Sequence, residues 1–297
     1  MTGYEGYSGW MDMILSGMAK NDQASWFALV DPCADTRLPA FFWELSENPG
    51  VLPLFMNTMI DEVSMHGPLF VPLVPGAPIT NWILIESELR PLGCIYSVPQ
   101  TERDNLFEHL QNLLECTLPS GKPGIFRFFD PRVLYAVANY PDPDWMQYVI
   151  GQAEAVYAWE PGCSQAVAYS DKGKVLEEEG MPIDQELLNA ISEHTSPYAV
   201  ISSTKGEQGD TLRAMPLRDA YAYVKGICDS LSSLNIPYLN DFIVGTVIAM
   251  KLNNNIFADD YIRKIVEVKA EDQTLVDALK TVPGEYFERM AMPQSGA

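Results

Sequence analysis

The sequence offers few side chains for catalysis or metal binding. Its 297 residues include three histidines and five cysteines, which are His66, His109 and His194, and Cys33, Cys94, Cys116, Cys163 and Cys228. None of them forms an HExxH, HxH or CxxC pattern, in which the spacing places two metal ligands side by side. The odd number and wide spacing of the cysteines indicate free thiols. We therefore predict no metal site and no disulfide framework.

Catalytic and cofactor motifs are equally scarce. The chain contains no GxSxG elbow, no GxGxxG fingerprint and no P-loop, so it offers neither a framed serine nor a glycine-rich phosphate cradle. A dyad of His109 with Cys94 or Cys33 can be drawn, but cysteine is also an ordinary core residue. We predict no catalytic residues and no cofactor, and keep as the alternative a small-molecule hydrolase or transferase that uses carboxylates or Cys94.

The charge of the chain restricts its partners. Forty acidic residues against nineteen basic ones give a formal net charge of −21. Such a surface repels phosphate, which argues against binding to nucleic acid or to an anionic membrane, and favours a basic protein partner. The segment Met1–Lys20 does not resemble a secretory signal, and the apolar stretch Phe242–Met250 is too short to span a bilayer. We expect a cytoplasmic protein.

The first half of the sequence predicts strands that alternate with helices. Trp26–Val30, Leu69–Val74 and Gly93–Val98 are short apolar runs bounded by turn residues, as in buried strands. Pro72 favours an edge position for the second of these strands. A helix capped by Thr101 follows, with one apolar face formed by Leu106, Phe107, Leu110, Leu113 and Leu114.

Two hairpins are predicted next. The first pairs residues 115–118 with 125–129, and the second pairs 165–169 with 174–177. Between the two hairpins, Asp130 is expected to cap a helix that begins at Pro131.

Beyond the second hairpin the apolar spacing becomes helical. Three apolar faces share this period: Leu217, Ala220, Tyr221, Val224, Cys228 and Leu231; Leu239, Phe242, Ile243, Val247 and Met250; and Tyr261, Ile262, Ile265 and Val266. The predicted fold class is an α/β (α+β) N-terminal lobe with a mixed sheet and hairpin, followed by a mainly α-helical C-terminal lobe. The predicted divisions are a leader at 1–22, an adaptor domain at 23–180 and a helical lobe at 181–297.

The most distinctive segment is Phe126–Leu134, with the sequence FRFFDPRVL. It resembles the FRFYDPRVL block of the effector adaptors of type VI secretion, the Tap or Tec family. Other blocks resemble that family in the same order, namely Trp26–Asp31, Pro53–Phe55, Gly67–Leu73, Gly93–Ser97 and Leu106 with His109–Leu110. The resemblance covers about Trp26 to Tyr140. Gln111 and Pro32 depart from it, since the family usually has arginine and glycine there.

The resemblance implies a function in protein binding. Members of the family hold a toxic effector in the donor cytosol and help to load it onto the VgrG or PAAR tip. For this chain, the resemblance implies that the partner is a type VI effector, together with VgrG or PAAR. The resemblance also implies that the chain has no enzymatic activity.

Two sets of residues are candidates for contact with a partner. In the distinctive block, Arg127, Asp130 and Arg132 either hold a helix against a hairpin or present an arginine to an effector carboxylate, and we favour the architectural interpretation. Near the C-terminus, Tyr286, Phe287 and Met290 form a short amphipathic stretch, which either docks on the helical lobe or offers apolar anchors to a partner. A further cluster, Tyr4, Tyr7, Trp10, Met11 and Met13, is either such an anchor or a loosely packed leader.

Overall fold

The computed structural model describes residues 8–34, 50–58, 67–175, 181–253, 255–269 and 273–291. The chain divides into two compact units, Met1–His194 and Thr195–Ala297. The divisions predicted from the sequence, after residues 22 and 180, stay predictions. His66, the acidic run 177–179, Tyr4 and Tyr7 lie outside the described residues.

The N-terminal unit is built on an antiparallel sheet of six strands in the order β2-β3-β1-β4-β7-β8. The strands are β1 (Ala24–Val30), β2 (Leu52–Pro53), β3 (Leu69–Leu73), β4 (Gly93–Pro99), β7 (Ala155–Glu160) and β8 (Gln165–Tyr169). The three predicted apolar runs are confirmed as β1, β3 and β4. β2 is short and pairs with Phe70 and Leu69, which leaves Pro72 beyond the end of β2.

Both faces of this sheet are covered. Phe27 and Leu29 of β1 point into one apolar core, whereas Trp26, Ala28 and Val30 point into another. This alternation explains why β1 is a continuous apolar run, since a strand buried on both faces has no side that must be polar.

The second core corrects the expectation of a loosely packed leader. Helix α1 (Ser8–Lys20) buries Trp10, Ile14 and Met18 against this face of the sheet. Their spacing of four residues places all three on one side of the helix. Helix α2 (Pro78–Leu89) adds Ile83 and Leu84 to the same core.

Helices α3 (Arg103–Leu114), α4 (Pro131–Ala138) and α5 (Asp144–Ile150) cover the first core, and Leu187 at the start of the helix Gln185–Ser203 adds to it. The predicted apolar face of α3 is confirmed, because Leu106, Leu110, Leu113 and Leu114 are buried. The predicted cap at Thr101 is wrong. A 3-10 turn occupies Gln100–Glu102, and α3 begins after it without a side-chain cap.

The first predicted hairpin is present, but its second strand ends at Ile125, and residues 126–129 are not part of a strand. The second is corrected. β5 (Glu115–Thr117) pairs with β6 (Pro123–Ile125), and β5 also pairs in parallel with β9 (Met181–Pro182). β8, however, pairs with β7. Residues 176 and 177 of its predicted partner lie outside the described residues. No strand was predicted at β7, whose connection to β8 is the turn at residues 161–164.

The C-terminal unit is helical. Helix α6 (Gln185–Ser203) runs through the boundary, and is followed by α7 (Gly206–Ala214), α8 (Leu217–Ser232), α9 (Leu239–Leu252), α10 (Asp260–Glu267), α11 (Leu275–Leu279) and α12 (Gly284–Ala291). Asp259 caps α10 by accepting from the backbone N–H groups of Tyr261 and Ile262. No described helix combines the length and the apolar character needed to cross a membrane.

Candidate functional site

The distinctive block forms a turn followed by a capped helix. Phe126, Phe128 and Phe129 are buried in the first core of the sheet. Asp130 then ends the turn, and its carboxylate accepts a hydrogen bond from the backbone N–H of Arg132 at 3.1 Å. Asp130 as the cap and Pro131 as the first helical residue confirm the sequence prediction, since proline lacks the N–H that a first turn leaves unpaired.

The same carboxylate binds Arg132 through two hydrogen bonds. The guanidinium Nε donates to Oδ1 at 2.8 Å, and NH2 donates to Oδ2 at 2.5 Å. Asp130 is buried, while the Arg132 side chain is 26% exposed. A bidentate pair of this kind fixes both partners in orientation, so Asp130 caps α4 and also holds the arginine.

Arg127 connects this helix start to the sheet. Its NH2 donates to Oδ2 of the buried Asp31 at 2.6 Å and lies 3.6 Å from Oδ2 of Asp130. Asp31 follows β1 directly, and its other oxygen accepts from the backbone N–H of Cys33 at 2.8 Å. Burial, together with the neighbouring Asp31 carboxylate, raises the pKa of the Cys33 thiol. The network therefore joins the end of β1 to the start of α4.

This geometry supports the architectural interpretation of the block. Each of the three residues has an internal partner, although the Arg127 side chain remains 46% exposed above the ring of Phe129. Contact of Arg127 or Arg132 with a partner protein stays a prediction.

Gln111, which departs from the family pattern, has its own internal role. Its side-chain amide donates to the carbonyl oxygens of Leu54 and Met56 at 2.9 and 2.7 Å. These two hydrogen bonds hold α3 against the segment after β2, and neither of them involves a charged group.

The C-terminal candidates are engaged within their own unit. The Tyr286 hydroxyl donates to Oδ1 of Asp259 at 2.8 Å. The Tyr286 ring also contacts the ring of Tyr261, and the Arg289 guanidinium lies over it. Phe287 and Met290 are half-buried. The arrangement supports docking of α12 in the helical unit, and an additional contact with a partner stays a prediction.

The thiol and imidazole that the sequence suggested for a dyad are poorly suited to it. Cys94 is fully buried, and burial raises its pKa to about 12, so its nucleophilic thiolate is scarcely populated near neutral pH. His109 is buried as well, with Nε2 2.7 Å from the carbonyl oxygen of Tyr148, and burial lowers its pKa. These surroundings disfavour Cys94 as a nucleophile, and an enzymatic activity that uses carboxylates stays an untested alternative.

A different cluster was missed by the sequence analysis. One potential ligand atom each from Glu160, Cys163 and His194 lies within 4.8 Å of the others. Glu160 ends β7, Cys163 lies in the following turn and His194 is on α6. The only sequence signal is the short spacing of Glu160 and Cys163 around a Pro-Gly turn, because the histidine comes from a distant helix.

Comparison with known families concerns the N-terminal unit. Residues 26–147 match the family model described as a domain of unknown function (DUF4123). The matched range includes every block of the resemblance and fewer than half of the 297 residues. Comparison with curated proteins gave no match. Comparison with solved structures gave none either.

The DUF4123 match has a clear structural extent. It begins in β1, takes in β3, β4, α3 and α4, and ends within α5. The Arg127 network lies inside it. Glu160, Cys163, His194 and the C-terminal unit lie outside it.

Proposed function

We propose that this chain is an adaptor that binds a type VI secretion effector in the donor cytoplasm and helps to load it onto a VgrG or PAAR spike protein. The observation that carries the proposal is the DUF4123 match at residues 26–147, because this family is associated with type VI adaptors. The blocks of the resemblance occupy β1 to β4, α3 and the start of α4, so they all belong to the sheet of the N-terminal unit and to helices of the same unit.

The charge of the chain is consistent with a protein partner. A net charge of −21 steers a basic surface towards the chain and raises the rate of association at low salt. On this proposal, association with the effector slows as the ionic strength increases.

We place the choice of cargo in the C-terminal unit. The family match ends at residue 147, so the helical unit from Thr195 onward is the part that can differ freely between adaptors. Large apolar side chains are also exposed there, among them Tyr238 at 67% and Val268 at 83%. Exposed aromatic and aliphatic groups are the usual anchors of protein interfaces.

The first experiment is co-expression of the tagged chain with each protein encoded beside its gene, followed by purification and light scattering. We expect a stable complex with one neighbour, and we expect that neighbour to be poorly soluble when it is expressed alone. A chain that purifies alone in every co-expression would contradict the proposed function.

A chimera tests the location of cargo choice. Residues 195–297 are exchanged with the corresponding unit of a second adaptor, and the matched control is the reciprocal chimera that exchanges residues 1–194. Cargo choice should follow the C-terminal unit in both chimeras. If it follows the N-terminal unit, the adaptor function stands and its assigned location is wrong.

A further inference from the structure

Three different metal-binding groups converge beside the β7–β8 hairpin. Glu160 and Gln165 form the last register pair of this hairpin, and Cys163 lies in the turn between them. Helix α6 brings His194 to the same place, so that the carboxylate, thiol and imidazole atoms lie within 4.8 Å of one another. All three residues belong to the N-terminal unit.

The carboxylate is held in an orientation suited to a ligand. One oxygen of Glu160, Oε2, accepts a hydrogen bond from the backbone N–H of Cys163. The other oxygen, Oε1, lies 3.6 Å from Nε2 of His194. Glu160 is fully buried and the His194 side chain is 10% exposed. A carboxylate at this depth is stabilised strongly by a positive charge placed beside it.

We infer that Glu160, Cys163 and His194 bind a zinc ion. Thiolate, imidazole and carboxylate are together the ligands that Zn²⁺ takes in proteins, whereas Mg²⁺ and Ca²⁺ prefer oxygen alone. The proposal does not depend on the adaptor function.

The spacing of the donor atoms fits a tetrahedral ion. Bonds of about 2.1 Å from Zn²⁺ to nitrogen and oxygen place those two atoms roughly 3.4 Å apart. The separation of Nε2 and Oε1 is 3.6 Å. The Cys163 sulfur also lies within 4.8 Å of the other two ligand atoms. Around a tetrahedral Zn²⁺ a sulfur lies roughly 3.6 Å from a nitrogen or oxygen ligand, so the sulfur would have to move by little more than about 1 Å. Three protein ligands leave the fourth position to water.

The surroundings orient the imidazole. The ring of Tyr135 stacks on that of His194, with centroids 4.6 Å apart, and its hydroxyl donates to Oε1 of Gln165 at 2.9 Å. A packed aromatic neighbour of this kind restricts the ring rotation of a metal ligand.

The same three residue types occur in cysteine hydrolases, but the geometry differs. In a catalytic triad the thiol and the acid bind opposite nitrogens of the imidazole, which separates them by roughly 7 Å. Here the ligand atoms of Glu160 and Cys163 lie within 4.8 Å of each other. The convergence of all three groups on one point favours a metal ion over a triad.

The test is metal titration of the full chain after removal of bound metal with a chelator. Cobalt(II) serves as the spectroscopic probe, since thiolate coordination produces a charge-transfer band in the near ultraviolet. We expect one equivalent of cobalt to bind with this band, and zinc to displace it. Zinc should also raise the melting temperature, because a ligand that binds the folded state stabilises it.

Variants and a chemical probe assign the site. Cys163→Ser and His194→Gln should weaken zinc binding at least about tenfold, and the matched control Cys33→Ser should leave it unchanged. On the unmodified chain, zinc should slow alkylation of Cys163 by iodoacetamide and leave that of the exposed Cys33 unaffected. This second readout needs no variant that must fold.

The inference is overturned by failure of the unmodified chain to bind an equivalent of cobalt or zinc. It is equally overturned if Cys163→Ser keeps the charge-transfer band, or if zinc leaves the alkylation rate of Cys163 unchanged.

Discussion

Arg127 and Asp31 are joined by a hydrogen bond of 2.6 Å between the guanidinium NH2 and a buried carboxylate oxygen. The two residues lie 96 positions apart in the chain. Asp31 follows the central strand β1, and Arg127 precedes the cap of α4. The pair therefore fixes the distinctive block against the sheet.

Removal of this arginine should destabilise the N-terminal unit. Arg127→Ala leaves the buried Asp31 carboxylate without its guanidinium, and we expect a loss of about 1–2 kcal/mol in the free energy of unfolding, since water reaches the half-exposed arginine. Chemical denaturation measures the change. The control Lys174→Ala breaks the exposed pair with Asp144 and should destabilise the unit clearly less than Arg127→Ala does.

A double-mutant cycle separates the pair from its surroundings. Asp31→Ala and Arg127→Ala should be clearly less destabilising together than the sum of the two single changes, because they share one interaction. If the two losses in the free energy of unfolding add strictly, the interaction between Asp31 and Arg127 contributes nothing to stability.

Asp130 should be the most sensitive of the three charged residues of the block. Asp130→Ala removes the cap of α4 and the partner of Arg132, and we expect a loss of about 2–4 kcal/mol. Asp130→Ser keeps a capping oxygen without the charge and should recover about 1 kcal/mol of that loss. Equal stability of the two variants in denaturant would exclude a capping role.

Much of this local structure could be predicted from sequence, because the determining groups are neighbours. Asp130 and Pro131 define a helix start within two residues, and the apolar run of β1 predicts a strand buried on both faces. The helix start after Thr101 was misplaced since a 3-10 turn competes there for the same backbone groups. Turn residues 161–164 were overlooked, so β8 was assigned the wrong partner.

The candidate site was less predictable than the fold. Arg127 with Asp31, and His194 with Glu160, meet only because the sheet and α6 bring distant segments together. The spacing of residues along the sequence does not predict that such distant side chains come into contact. The capping role of Asp130 was visible, whereas its contact with Arg127 and the cluster around Cys163 required the tertiary structure.

The hydroxyl of Tyr286 should control the titration of Asp259. Burial raises the pKa of Asp259, but hydrogen bonds from the Ile262 and Tyr261 backbone and from Tyr286 outweigh it, so the pKa is lowered from 3.8. A lowered folded-state pKa contributes stability above the unfolded-state value, and this contribution is lost as the pH falls through the folded-state value.

We therefore expect Tyr286→Phe to raise the pKa of Asp259, as followed by carboxyl NMR. It should also lower the free energy of unfolding at neutral pH, because the Asp259 carboxylate loses a hydrogen-bond donor. The difference from the parent chain should shrink as the pH falls from about 4 through the lowered pKa of Asp259 in the parent, because the carboxyl group then becomes protonated in both chains. The control Tyr238→Phe changes an exposed ring and should have neither effect. An Asp259 pKa that does not move in Tyr286→Phe would contradict the assigned hydrogen bond.

Two glycines should respond to alanine in opposite directions. A Cβ at Gly93 would overlap the carbonyl oxygen of Leu29 in the neighbouring strand, so Gly93→Ala forces β1 and β4 apart and should cost about 3 kcal/mol. Gly226 lies in α8 with open space around it, and Gly226→Ala should stabilise by about 0.5–1 kcal/mol. Thermal unfolding of both variants checks the prediction: Gly93→Ala should lower the melting temperature and Gly226→Ala should raise it.

Helix α1 should be an integral part of the N-terminal unit. Ile14 is fully buried against the sheet, and Ile14→Ala should cost about 2–5 kcal/mol. Asp12 lies on the exposed side of the same helix, and Asp12→Ala should change the stability by less than about 0.5 kcal/mol. A negligible effect of Ile14→Ala would show that α1 is dispensable for folding.

The core under α1 also gives the molecule a built-in optical signal. Trp26 stacks on Tyr157 with centroids 5.6 Å apart, and Trp10 lies 6.2 Å from Trp159. Within the described residues, the indole N–H groups of Trp10, Trp26 and Trp159 are buried without a hydrogen-bond acceptor. Indoles in such dry surroundings fluoresce towards the blue. A red shift in emission would therefore report the release of α1 in real time, with no label attached.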